Sequence, residues 1–225
     1  MKKLLLSISM IFIVLMAYAQ SCPDGKHPHA IDLGLPSGTK WACCNVGATT
    51  PEGYGGYYAW GEKKMKSVYN EVTYKYCSGT DTNGDGWYYD EDGWLDEIVN
   101  YKELGSISGT KYDVAHKKWG GKWQLPSPEQ IVELLNNCTS TWITTNGVSG
   151  RIFTSSNGNS IFLPAAGYYN GTSLTGAGNN GGYWSGQDSE HSAIDLDFDF
   201  DGAHCYSMSR CCGYSVRPIC CKWYR

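Results

Sequence analysis

The segment IDLDFDFD, residues 194–201, alternates without a break: Ile194, Leu196, Phe198 and Phe200 on one side, Asp195, Asp197, Asp199 and Asp201 on the other. A period of two is the pattern of a half-buried strand. The apolar face is expected on a core and the acidic face toward solvent. Carboxylates spaced about 6.5 to 7 Å apart along such a face repel one another unless water, a cation or a basic partner relieves them. Downstream, His204, Cys205, Tyr206, Met208, Arg210, Cys211, Cys212 and Tyr214 crowd diverse groups into what reads as an irregular loop, before strand character returns at residues 215–219. Loops of mixed chemistry on a rigid scaffold are where recognition residues gather. The candidate ligand-binding set is therefore Asp195, Asp197, Asp199, Asp201, His204, Cys205, Tyr206, Met208, Cys211, Cys212 and Tyr214.

Upstream of this stretch the clearest local signal is a helix. Ser127 reads as its N-cap, Pro128 as its first residue and Gln130 as the return arm of a capping box, and Ile131, Leu134, Leu135 and Cys138 follow at i, i+3, i+4 and i+7. Strands are expected at 142–145, 151–155 and 160–163, the last two joined by a Ser-Asn-Gly-Asn turn, and then a Gly/Asn-rich loop over 165–182. Residues 94–104 and 111–119 have helix-compatible spacing. Residues 31–42 read as two short strands around a Pro-Ser-Gly turn, and the segment GYGGYYAWGE at 53–62 as aromatic rings packed where glycines allow close approach.

Composition limits the partners. Lys2 and Lys3, the apolar run 4–16 and Ala17-Tyr18-Ala19 form the three parts of a secretory signal peptide. That run is shorter than the roughly 20 residues that span a bilayer, and no second one follows. Without residues 1–19 the chain has 16 basic and 22 acidic residues, a net charge of −6 that disfavours nucleic acid as a partner. The sequence divides into a signal peptide (1–19), a short linker (20–30), one domain (31–221) and a tail (222–225). Ser21-Cys22 offers an alternative in which Cys22 is lipidated and anchors the chain at the outer surface. All ten cysteines follow the cleavage site, so disulfides are the expected state, with connectivity left open.

One motif points to a metal. Asp81-Thr82-Asn83-Gly84-Asp85-Gly86 follows the D-x-N-x-D-G calcium-loop pattern, with Asp81, Asn83 and Asp85 as oxygen ligands, the Trp87 carbonyl next and Asp92 at position 12. Asp stands there in place of the longer bidentate Glu, and residues 72–76 before it read as a strand instead of an entering helix. A solvated acidic turn is the alternative reading.

Taken in order, IDLGLPSGTKWA (31–42), YYAWGE (57–62), YDVA (112–115), WGGKWQLPS (119–127), FLPAAGY (162–168), GYWS (182–185) and SVRP (215–218) resemble the Fibrobacter succinogenes major paralogous domain family. The resemblance covers residues 31–219. It implies an α+β, C-type-lectin-like domain of short twisted strands, two or three short helices and long loops, with terminal strands paired, in a secreted or surface protein of Bacteroidetes-type bacteria. Some members resemble targets of diversity-generating retroelements, in which a C-terminal region varies on a constant scaffold. Asp, His, Cys and Tyr at the interspersed sites of 195–214 suit that mutational chemistry.

These features favour a binding module over an enzyme, with a protein or a glycan as ligand, since aromatic and polar tips on a sheet suit recognition. A structural or adhesive surface subunit is the alternative. A thiol enzyme akin to the formylglycine-generating enzymes is a third class. It would use Cys205 with Cys211 or Cys212, at a spacing that departs from that pattern.

Overall fold

A computed structural model describes residues 30–79 and 100–220. The expected signal peptide, the Cys22 anchor and the calcium loop at Asp81, Asn83, Asp85, Trp87 and Asp92 lie outside the described residues. Among the described residues the architecture is mostly strand, in antiparallel sheets, with two short helices.

The chain enters on β1 (Ala30–Asp32), turns at Gly38, and returns on β2 (Lys40–Ala42). Gly38 takes φ 72 there and donates to Leu35 O at 2.8 Å, a backbone conformation that favours glycine. The last strand, β14 (Ile219–Cys220), lies between β2 and β5 (Trp123–Gln124), so both ends of the described domain meet in one sheet, ordered β1-β2-β14-β5.

Helix α1 (Val114–Trp119) starts at Asp113, which is fully buried and accepts four backbone N–H groups: Gly109 at 2.8 Å, Ala115 at 2.8 Å, His116 at 3.1 Å and Leu125 at 2.8 Å. One carboxylate thereby caps the helix and ties it to β5. Helix α2 (Pro128–Asn137) has the anticipated capping box: Gln130 N donates to Ser127 Oγ and Ser127 N to Gln130 Oε1. Ile131 and Leu134 are buried, and the helix passes at Cys138 directly into β6 (Cys138–Thr145).

The expected strands are present and longer than their apolar cores suggested: β6, β7 (Val148–Ser155) and β8 (Ser160–Pro164) form a meander. Asn146 and Gly147 both take positive φ, 51 and 81, in the β6–β7 turn. That is the backbone of a two-residue hairpin turn matched to strand twist. Three local expectations do not hold. Residues 72–76 form turns, because Asn70 Oδ1 takes the Thr73 N–H and closes the backbone. Asn100–Tyr101 is strand β4, paired with β3 (Cys77–Ser78), where a helix was expected; residues 94–99 of that stretch lie outside the described residues. The 165–182 loop contains a hairpin, β9 (Tyr168–Asn170) with β10 (Ser173–Thr175).

The central sheet is β11 (Gly181–Ser189), β12 (Ser192–Phe198) and β13 (Ala203–Ser209). Residues directly opposed in an antiparallel pair share a face. The register puts Tyr183, Leu196 and Cys205 on one face, where they join the apolar cluster of Ile131, Leu134, Phe153 and Trp41. Trp184, Ala193 and Met208 lie on the other, in the tyrosine-rich cluster of Tyr58, Trp60, Tyr69, Tyr74 and Tyr214. This sheet therefore separates the two halves of the core.

Candidate functional site

The alternation at 194–201 gives the faces correctly as far as Phe198. Leu196 and Phe198 are buried on the α2 side, where Phe198 stacks on Tyr183 with ring centroids 5.8 Å apart. Phe200 does not continue the row. It is 67% exposed, because β12 ends at Phe198 and the chain turns. Asp199 Oδ1 accepts the Asp201 N–H at 2.8 Å and the Gly202 N–H at 3.1 Å, and Arg151 donates to the carbonyls of Asp199 and Phe200. Asp199 and Asp201 are thus residues of a turn and not part of a flat acidic face.

The acidic face itself is partly covered, which corrects its reading as fully solvated. Residues 213–215 run along the outer edge of β11, bridging Ser215 to Tyr183, with Trp184 N donating to Ser215 O at 3.2 Å. From there the Tyr214 side chain lies over Gly182 and stacks on Trp184, centroids 4.5 Å apart. Gly182 is opposite Asp197 in the register, and its missing side chain is what admits the ring: a Cβ there would lie 2.5 Å from Tyr214 Cε2. Asp195, between Trp184 and Tyr206, is left only 1% exposed.

The electrostatics follow from this enclosure. Burial first, and the neighbouring Asp197 second, push the Asp195 carboxyl up to about 8. Asp197, half-buried, is pushed up to about 6 by burial and Asp199, with His204 opposing. Burial also raises the Tyr214 phenol, and Asp195 and Asp197 add to the effect. Neither Asp195 Oδ1 nor the Tyr214 hydroxyl has a hydrogen-bond partner among the described residues. A buried polar group left unpaired costs about 1–3 kcal/mol.

The expected irregular loop is mostly strand. His204, Cys205, Tyr206 and Met208 belong to β13, and only from Arg210 does the chain leave the sheet. His204 and Tyr206 project from the acidic face and are exposed, Tyr206 by 60%, with ring centroids 5.6 Å apart. Met208, on the same face, packs against the tyrosine-rich cluster. Cys205 points to the opposite face, against the α2 cluster. Cys211, Cys212 and Tyr214 are buried, so they do not form a solvent-facing loop. The reason is non-local: Tyr58 and Tyr214 exchange both backbone hydrogen bonds, drawing this segment into the molecule. Cys205 and the Cys211-Cys212 pair thus fall in different core clusters. Among the described residues, Cys77, Cys138, Cys205, Cys211 and Cys212 are not joined in disulfides.

The site brings together Asp195, Asp197, His204, Tyr206, Met208 and Tyr214, with Asp199 and Cys212 at its margin, and sets Asp201, Cys205 and Cys211 apart. Trp184 and Gly182 belong to it and were not anticipated as site residues. The available signal was the glycine at 182, which a strand interior seldom carries without close approach of another group. Arg210, beside the site in sequence, is part of the scaffold: buried over the Trp60 ring, it donates to Tyr74 Oη, Glu190 O and Lys102 O. Among the described residues no group of three His, Cys, Asp or Glu side chains is arranged to hold a metal, and none of the helices is long and apolar enough to cross a membrane.

Comparison with protein-family models, with curated proteins and with solved structures found no match to this chain.

Proposed function

We propose that the chain is a secreted or cell-surface binding module on a C-type-lectin-like scaffold of the major paralogous domain type, with the outer face of β12 and β13 as its recognition surface. The observation that carries this reading is the contrast within one sheet. His204 and Tyr206 stand exposed on β13, while most of β11, the inward positions of β12 and the 210–219 segment are buried. Aromatic tips on a rigid support bind with little loss of side-chain freedom. The meeting of β2 with β14 supports the scaffold assignment, as do the buried positions of Trp41, Trp60, Trp184 and Arg217, which come from four of the motifs that carry the resemblance.

Variation at exposed β13 positions would leave this framework intact, which suits a surface diversified by a retroelement. A template repeat beside a reverse transcriptase gene in the neighbouring DNA would test that part. For binding itself, the purified chain is screened against a glycan array and against surface proteins. Retention of a ligand that Tyr206→Ala and His204→Ala both release supports the proposal; no retention in either screen, or retention unaffected by both variants, overturns it.

A further inference from the structure

The binding face is electrically one-sided. Residues 192–209 contain four aspartates and neither lysine nor arginine. Arg151, which reaches this hairpin, is spent on Ser140 Oγ and the carbonyls of Asp199 and Phe200, and Arg210 is spent on Tyr74, Glu190 and Lys102. Asp195 and Asp197 therefore share a partly dry face on which no lysine or arginine of the described residues acts. Next to them, Asp195 Oδ1 and the Tyr214 hydroxyl, each on a side chain at most 1% exposed, have no partner among the described residues. Beside half-buried Asp197 lie the exposed rings of His204 and Tyr206.

Unpartnered oxygens beside aromatic rings match one chemistry better than others. An ammonium or guanidinium brings the donors that carboxylates need, relieves their mutual repulsion and stacks on an aromatic face. A neutral sugar would supply hydroxyl donors and leave the repulsion in place. Resting on the binding-module reading above, we infer that this face takes a cationic side chain from a basic segment of a protein partner, seated on Asp197 beside Tyr206, with Asp195 and Tyr214 beneath it.

Seating a cation on this pair has a consequence that simple surface attraction lacks. Burial, with repulsion of Asp195 by Asp197 and of Asp197 by Asp199, makes both hold protons at pH values where ordinary carboxylates have lost them. A bound cation takes the place of those protons, so binding releases protons and tightens as pH rises from about 5 to 8. The other groups facing the pair are Trp184 from β11, His204 and Tyr206 from β13, Asp199 from the turn, and Cys212 and Tyr214 from the returning segment. An imidazolium at His204 would compete for the same carboxylates, so His204→Gln separates its contribution.

The test is calorimetric titration of the whole chain with an arginine hexapeptide and with its citrulline counterpart, in buffers of different ionisation heat. Expected are binding of the arginine peptide alone and net proton release that persists in His204→Gln. Affinity should fall at least tenfold in Asp197→Asn and severalfold in Tyr206→Ala, and should stay unchanged in Glu103→Gln, which alters an exposed carboxylate elsewhere. Equal binding of both peptides, absence of proton release, or equal losses in Glu103→Gln and Asp197→Asn would overturn the inference. If the screens capture a glycan or protein through Tyr206 and His204 while the arginine peptide does not bind, the cation inference falls and the binding-module reading stands. If nothing binds in any format, both fall.

Discussion

Arg217 donates from Nε to Asn45 Oδ1 at 2.8 Å, and both side chains are buried. Its other nitrogens reach Ala42 O at 3.0 Å and Phe162 O at 2.9 Å, while Asn45 donates to Tyr54 O at 2.9 Å and Tyr183 Oη at 3.2 Å. One guanidinium thus joins the end of β2, strand β8 and, through Asn45, strand β11.

Replacing that guanidinium should unfold much of the frame. Arg217→Met leaves three buried acceptors without their donor, each costing about 1–3 kcal/mol, so a loss of about 3 kcal/mol or more is expected in urea denaturation. Arg217→Lys should recover little, because an ammonium cannot reproduce the planar fork that meets three acceptors in different directions.

Asp195 makes stability depend on pH in the direction opposite to an ion-paired carboxylate. Its folded value, about 8, lies above the ordinary 3.8, so the folded state holds the proton more tightly. The contribution is fully present below about pH 4, is lost as pH rises toward 8, and is flat beyond. Asp197 adds the same sign between about 4 and 6. Asp195→Asn mimics the protonated form, so the difference in stability between variant and parent should grow from pH 5 to pH 8, reaching on the order of 3 kcal/mol. A constant difference across thermal melts in that range would contradict the burial of this carboxylate.

The ring of Tyr214 occupies the space that Gly182 leaves. Gly182→Ala should push the ring off Trp184, with a loss of about 1–3 kcal/mol and a reduced near-ultraviolet circular dichroism signal from the stacked pair. Unchanged spectra would mean that Tyr214 does not cover the sheet.

Exposed and buried members of the 204–214 segment should separate cleanly. Tyr206→Ser and His204→Ser are expected within about 0.5 kcal/mol of the parent, whereas Tyr214→Ser removes a buried ring and should cost about 3–5 kcal/mol. Chemical denaturation of the three variants gives the comparison directly.

At the helix, Ser127→Ala removes the side-chain half of the capping box and should cost about 1 kcal/mol. Gln130→Ala should cost more than a lost cap alone, because Gln130 Nε2 also donates to Thr39 Oγ1 at 3.0 Å, tying α2 to the segment leading into β2.

Much of the fold was legible in short windows. The cap at Ser127, the apolar spacing of Ile131 and Leu134, the turn at Gly38 and the alternation through Phe198 each depend on residues a few positions apart. Where neighbouring residues failed as a guide, a distant partner or a local side-chain bond had intervened. Asn70 turned 72–76 away from strand, and β3 recruited Asn100 and Tyr101 into a pair.

The candidate site divides along the same line. From sequence alone came the existence of an acidic face at Asp195 and Asp197 and the aromatic and imidazole groups at His204 and Tyr206, because side-chain direction in a strand follows from a period of two. Which of these groups meets water was decided only in three dimensions. The pairing of 213–215 with β11 and Tyr58 buried Cys211, Cys212 and Tyr214, laid a phenol over Gly182 and sealed Asp195, while the end of β12 turned Phe200 outward. Periodicity specifies the face a side chain takes; what covers that face comes from elsewhere in the chain, and no local pattern encodes it.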